Sequence, residues 1–415
     1  MILLAAAVAL APMATARFGF RGFVMVYVVA ALAWLRTTPH PPFGHLLPSA
    51  EGRRLQPFQP SPLRRGEKVP QADEGSLPLG LIITLAIFLR ALLLFHEPLL
   101  SGDVYRYLSD GRVSASGANP YAYTPTDPRI NHPEIRSIYP PLAQLLFRAV
   151  HQLTAWRLLL IAADLAAIVL LRGHGALAYA TCPLVLFEGT WSGHIDLLAG
   201  VLLGIALARR STIAGGLAAG LKVIPIVAMP VLLRMKRAPI ALAATILLPF
   251  LPFLGGPIMP GFRDYATRWI FNSPLYDLVR AIVERIPTKV IWTHHPLRFQ
   301  VISDVVYRHI YPDFITRAIL GVIAIGAILL ARRVTTSVAA LLVCSPAIHP
   351  WYWLIIVPSA LIERSRWLYL ALLMPLSYLL YDGVPSWIVY GLYATSALSV
   401  LVIRRWSPAR GDSPS

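Results

Sequence analysis

The chain has 415 residues, of which 56% are hydrophobic and only 14% charged, with a net charge of +17. Soluble globular domains carry about 25% charged residues, and here the apolar residues come in long runs, so the composition excludes an ordinary soluble enzyme. The runs also exclude a transmembrane β-barrel, which needs short alternating strands. The positive charge does not indicate a nucleic-acid partner: Lys and Arg sit singly or in pairs at the ends of apolar runs, where they anchor helices and set topology, rather than in one patch.

Residues 1–16 begin with MILLAAAVAL and carry Ala-Thr-Ala at 14–16. This resembles a signal peptide without a basic leading region, and we read it as an uncleaved first helix. Residues 37–76 are Pro-rich and hold Arg53, Arg54, Arg64, Arg65 and Lys68. Basic residues in short loops prefer the cytoplasmic side, which places this segment inside, without regular structure. Residues 1–76 thus form N-terminal helices and a cytoplasmic loop, and 77–403 form the main membrane domain.

A helix at about 77–98 then runs outward, since about 20 apolar residues span a bilayer. Residues 99–153 form a first long outer loop, ending in the interfacial stretch PPLAQLLFRAVHQL. Segments 155–172, 175–190 and 195–208 pass in, out and in again, with WSGHID at 191–196 at the outer end. The stretch 211–233 has basic clusters at both ends, Arg209-Arg210 and Arg234-Met-Lys-Arg. We read it as a re-entrant hairpin broken near Lys222 and Pro225, because the later charges then also fit the charge rule. A continuous, proline-kinked helix would reverse everything downstream.

Residues 238–255 go out, and 256–313 form a second long outer loop. Segments 314–331, 335–348, 350–362, 367–381 and 386–403 follow in alternation, leaving a cytoplasmic tail at 404–415. The expected fold is all-α: a polytopic integral membrane protein of about 11–13 transmembrane or re-entrant helices. No internal repeat of the transporter kind is visible. Cys182 and Cys344 lie in apolar segments without metal-ligand spacing, and read as small buried residues.

Ionisable residues at membrane depth are costly and line cavities or sites. In this topology they converge on the outer side: Asp103, Arg106 and Asp110 in the first loop, then His194 and Asp196, Asn272 in the second loop, and His349 with Trp351 and Tyr352. Lys222 enters from the hairpin break. Each has a plainer reading. Asp103 is placed to cap a helix, Asp110 precedes Gly111 as in a turn, Trp351 suits an interfacial anchor, and Gly117, Asn119 and Pro120 are turn residues. His294 and His295 are a weak metal signal. No nucleotide-binding glycine loop, Gly-Xaa-Ser-Xaa-Gly elbow or His-Glu-Xaa-Xaa-His helix is present. A carboxylate beside cations and aromatics suits sugar transfer from a phosphate: the carboxylate takes a proton from an acceptor hydroxyl, and cations stabilise the departing phosphate. Phosphate leaves readily, so a second carboxylate acid is not required, unlike glycoside hydrolysis.

Taken together, DVYRYLSDG (103–111), GANPY (117–121), YPP (139–141), GHID (193–196), GLKVIP (220–225), YATRWIFN (265–272) and HPWY (349–352) resemble, in order and spacing, the motifs of the GT-C superfamily of membrane glycosyltransferases. The nearest resemblance is to bacterial polyprenol-phosphate-mannose-dependent mannosyltransferases, and a more distant one is to the GPI mannosyltransferase that adds the first mannose. It covers residues 77–403. It implies an inverting hexosyltransferase, with mannose the expected sugar, using a polyprenyl-phosphate donor and a glycolipid or glycan acceptor. The site would face outward from the bacterial plasma membrane. Asp103 would be the catalytic base; Tyr105, Tyr107 and Asp110 would shape the sugar pocket. Arg106, His194, Lys222 and His349 would hold phosphate, with Asp196 and Asn272 in the same substrate site. Some relatives carry Asp-Xaa-Asp where this chain has Asp-Val-Tyr, so no metal and no cofactor is expected. Ser109, where tryptophan is common, points to a different acceptor. The alternatives are a lipid-linked-sugar flippase or transporter, or the same chemistry with another sugar.

Overall fold

The computed structural model describes residues 1–37, 77–286 and 304–405. The 38–76 segment with its basic residues and the His294-His295 pair lie outside them. The described residues are helical, with no strands; the one β-type contact is a bridge between Phe271 and Ala347.

α1 (Ile2–Thr37) is broken at Gly19, whose φ of 62° and ψ of −149° interrupt the helix. Leu4, Val8 and Ala11 of its first half are buried in the common core. α2 (Leu79–Leu94) follows, then α3 (Asp103–Ala115) and α4 (Pro141–Ala149). These two helices occupy the expected first outer loop. α3 starts with an acidic residue and ends with Arg112, which suits the helix dipole at both ends. Pro141 opens α4, where its missing N–H costs nothing. The pair is locked by Tyr107 stacked on Phe147, with ring centroids 4.8 Å apart.

α5 (Leu153–Leu171) and α6 (Gly173–Ala180) lead to a π-helical segment, Val185–Trp191, and then α7 (Asp196–Arg209). The last two are bent by 118° across the break. Gly193 sits in that break with φ +75°, and a Cβ there would press on Val104 Cγ2 at 3.2 Å. Glycine alone meets both conditions comfortably.

α8 (Thr212–Leu221) is capped by Ser211, whose Oγ accepts from the Ala214 N–H at 3.2 Å. It stops at Lys222, which is extended, and a short 3-10 turn (Ile224–Ala228) leads into α9 (Met229–Met235). A Cβ on Gly215 would come within 2.7 Å of Leu232 Cδ1. Seventeen residues of straight helix would put those positions about 25 Å apart. The chain therefore folds back at Lys222, as the basic clusters at both ends suggest. One of those clusters is tied further on: Arg234 donates to the carbonyls of Leu329 and Ala331, both at 2.6 Å.

α10 (Pro239–Leu247), α11 (Gly261–Arg268) and α12 (Pro274–Val283) precede α13 (Asp304–Leu330), which starts about ten residues before the expected 314. α14 (Val334–Cys344), α15 (Val357–Ile362), α16 (Trp367–Leu373) and α17 (Ser386–Arg405) complete the bundle. Among the described residues three helices are long and apolar enough to cross a membrane: Ile2–Thr37, Leu153–Leu171 and Pro312–Leu330. The bent pair around Gly193 makes a fourth. The other expected spans are shorter apolar helices, several broken by 3-10 turns with a proline in their first two positions, such as Pro350 and Pro375. Proline removes the helix donor and clashes with the preceding turn, which shortens what hydropathy reads as one run.

Candidate active site

Side chains from α3, the hairpin break, α11, α13 and the segment before α15 surround one cavity of about 1320 Å³. Asp103 opens into it from the first turn of α3, with its side chain 22% exposed. Its backbone N–H donates to Ser101 Oγ at 3.2 Å, and its Oδ2 accepts from Tyr139 Oη at 3.3 Å. Tyr107 Oη lies 3.3 Å from the same Tyr139 hydroxyl. Burial pushes the Asp103 carboxyl above the usual carboxylate range, against the opposing pull of Lys222, Arg106 and the Tyr139 hydrogen bond.

Lys222 reaches the cavity from the hairpin break. Its Nζ lies 2.9 Å from Asp196 Oδ2 and faces the rings of Tyr139 and Tyr352 at 5.2 and 5.0 Å. Lys222 is thus held by one carboxylate and two aromatic faces. Tyr352 in turn hydrogen-bonds Tyr265 through their hydroxyls.

Beside the cavity, which Trp351, His349 and Tyr381 line, runs a column of five stacked rings in the order His194, Trp351, His349, Phe271, Tyr381. Neighbouring centroids are 4.3, 4.4, 4.8 and 4.8 Å apart, and no step is tilted by more than 22°. The Phe271 end is fixed by backbone bonds to Pro346 and Ile348, each 2.9 Å. Among the described residues His349 Nδ1 and Trp351 Nε1 have no protein partner, although both are buried.

The cavity carries more cation than anion. Arg106, Arg129, Arg136, Lys222 and Arg317 line it, against Glu97 and Asp103 among the described residues. Away from these charges the lining turns apolar: Ile224 and Ile226 after the hairpin break, Leu320 and Ala324 of α13, and Leu341 and Leu342 of α14.

The sequence-predicted residues divide. Asp103, Tyr105, Arg106, Lys222 and His349 line the cavity; Tyr107, Asp110, His194, Asp196 and Asn272 do not. Arg106 is already committed: its guanidinium donates to the carbonyls of Ile135, Asn131 and His132 at 2.8–2.9 Å. It clamps the loop under α3 instead of offering a free fork to phosphate. Tyr105 donates to Glu97 at 2.5 Å under the guanidinium of Arg129. Asp110 is no turn residue; it lies inside α3, 1% exposed, and accepts from Gln144 Nε2 at 2.9 Å. Asn272, at φ +51°, joins two segments by donating to the Ile348 carbonyl at 3.2 Å and accepting from Tyr393 Oη at 3.0 Å. His194 and Asp196 stand directly behind the lining, against Trp351 and Lys222.

Sequence reasoning missed Tyr139 as a partner of Asp103, Tyr265, and above all Glu188. Glu188 is fully buried in the π-helical segment. A lone carboxylate in the apolar run VLFEGTW is itself a signal of function. No protein-family model, curated protein or solved structure matches the chain.

Proposed function

We propose that the chain is an inverting glycosyltransferase of the GT-C kind. In this reading it moves a hexose, with mannose the expected sugar, from a polyprenyl-phosphate donor to a lipid- or glycan-linked acceptor. It works at the outer face of a bacterial plasma membrane. The observation that carries the reading is the composition of one cavity: of its two carboxylates among the described residues Glu97 is bonded by Tyr105, while the mostly buried Asp103 faces a lining that is cationic and aromatic in part and apolar elsewhere. The order of the motifs from Asp103 to Tyr352 supports it independently.

In the proposed reaction Asp103 takes the proton of the acceptor hydroxyl. The acceptor oxygen bonds to the anomeric carbon as the bond from that carbon to the phosphate oxygen breaks. One displacement inverts the centre. Lys222 and the unpartnered nitrogens of His349 and Trp351 favour the charge that grows on the phosphate. The Tyr352 ring lines the same space as Lys222 and suits a sugar, and the lining from α13 and α14 suits the prenyl chain.

The test incubates detergent-purified protein with labelled polyprenyl-phosphate mannose and cell-envelope lipids. A labelled glycolipid with the wild type and none with Asp103→Asn is the expected result. Wild-type turnover by Asp103→Asn overturns the assignment of the base. Movement of intact donor across vesicles, with no new product, identifies a transporter instead.

A further inference from the structure

Behind Asp103 stands a line of buried polar groups that the proposed reaction leaves unused. His194 is fully buried. Its Nδ1 is 4.0 Å from Asp103 Oδ2, and its Nε2 is 3.5 Å from Glu188 Oε2. Glu188, equally buried, accepts from Tyr378 Oη at 3.1 Å through that same oxygen. Among the described residues neither nitrogen of His194 has a hydrogen bond at these separations. The order is therefore Asp103, His194, Glu188, Tyr378, with the imidazole suspended between two carboxyl groups.

The backbone is shaped to make this arrangement. Glu188 lies in a π-helical segment, in which the Ser192 N–H reaches the Phe187 carbonyl at 2.9 Å. Such widened turns are uncommon and cluster at functional sites. The chain then breaks at Gly193, and the His194 N–H returns to the Glu188 carbonyl at 3.2 Å. Carboxyl and imidazole are thus presented together by one local fold. The imidazole plane is fixed by Trp351, stacked at 4.3 Å.

We infer that Glu188 is a positioning residue that orients His194 so that its Nδ1 receives the proton Asp103 takes from the acceptor. This rests on the glycosyltransferase reading above. Glu188 Oε2 already accepts from Tyr378 and lies 3.5 Å from Nε2. That orientation selects the tautomer with the proton on Nε2 and leaves a lone pair on Nδ1 towards Asp103. During transfer the acceptor O–H bond breaks and an O–H bond forms on Asp103. That bond then breaks as an N–H bond forms at His194 Nδ1. The resulting imidazolium keeps its Nε2–H against Glu188 and its face against Trp351. Asp103 returns to the carboxylate, and the proton leaves through Asp103 when product departs. Catalytic hydrogen bonds are commonly long before substrate binds and shorten in the reacting complex, which suits the 4.0 Å gap.

The test compares Glu188→Gln, Glu188→Asp and Asp103→Asn, all as full-length protein in detergent. Glu188→Gln is expected to leave KM for polyprenyl-phosphate mannose within about twofold and to lower kcat about 10²-fold, the low end of what general acid–base groups contribute. It also moves the acid limb of the kcat profile, and Glu188→Asp restores part of the rate. Unchanged kcat and pH profile in Glu188→Gln, with Asp103→Asn inactive, overturn the inference and leave the glycosyltransferase reading standing. If Asp103→Asn is active, that reading fails first. A second measurement does not depend on activity. In ¹⁵N-histidine-labelled protein, the resonances lost in His194→Gln should report the Nε2–H tautomer. The Nδ1–H tautomer at that site overturns the inference.

Discussion

Lys222 Nζ and Asp196 Oδ2 lie 2.9 Å apart, with the lysine side chain 12% exposed and the aspartate fully buried. The pair fastens the tip of the hairpin to the first turn of α7, beside the Gly193 break. The Lys222 cation is therefore fixed in place from behind, by a carboxylate that does not line the cavity.

Breaking this pair from one side strands the other charge. Lys222→Met should destabilise the protein by about 3–5 kcal/mol, as for other buried pairs that lose one partner. The Lys222→Met/Asp196→Leu double variant should recover most of that. The apparent melting temperature in detergent measures both; additive losses in the double variant contradict the pairing.

The pH profile follows from Asp103. Only its carboxylate accepts a proton, and burial raises its pKa despite Lys222 and Arg106. The rate should therefore fall as pH drops, with a midpoint above that of an ordinary aspartate. Losing the Lys222 charge removes an influence that lowers this pKa, so Lys222→Met should move the acid limb higher still. A shift to lower pH contradicts the geometry.

The same shift makes a stability statement of opposite sense. A carboxyl whose pKa is higher in the folded chain binds its proton more tightly there, so ionising it costs stability as pH rises. Asp103→Asn, though inactive, should melt at a higher temperature than the wild type at pH 7. The gain should fade as pH falls below the carboxylate range. Equal melting curves at pH 7 argue against strain at this aspartate.

Deep in the bundle, Arg90 Nε and Asp164 Oδ2 are 2.7 Å apart at 1% and 0% exposure. Arg90 also donates to the carbonyls of Ala86 and Ala180 at 3.1 and 2.8 Å. Asp164→Leu leaves a buried guanidinium without its anion and should cost about 3–5 kcal/mol, whereas Arg90→Met/Asp164→Leu should sit near wild type. Melting in detergent again reads the difference, with transfer activity following stability and not changing independently.

Much of the frame is legible in the sequence. The ends expected at 172, 331, 362 and 381 fall within a residue of observed ends, because basic residues and prolines mark them in the chain itself. The hairpin break at Lys222 is legible for the same reason: two cationic ends cannot both belong to one side of a single crossing. α3 is different. Its residues are polar, and a polar helix that packs against α4 looks like a loop to any hydropathy reading. Asp110 followed by glycine suggests a turn locally; burial against Gln144, 34 residues away, decides otherwise. Arg106 and Asn272 show the same limit. Their chemistry suits a substrate, but tertiary contacts had already claimed their donors. Glu188 was visible as an isolated charge, and only its distance to His194 gives it a role.

The five-ring column also has an optical and mechanical side. Trp351 lies between two imidazoles, so its emission is exposed to quenching by whichever of them gains a proton. The far end of the column, Tyr381, packs against Phe20 at 5.4 Å, one residue beyond the Gly19 break in α1. Asp382 next door accepts from the Arg21 N–H at 2.8 Å. The stacked rings thus form a continuous contact from the Gly19 break in α1 to the histidine behind Asp103. The Trp351 indole, one ring from that histidine, is a fluorophore native to the column.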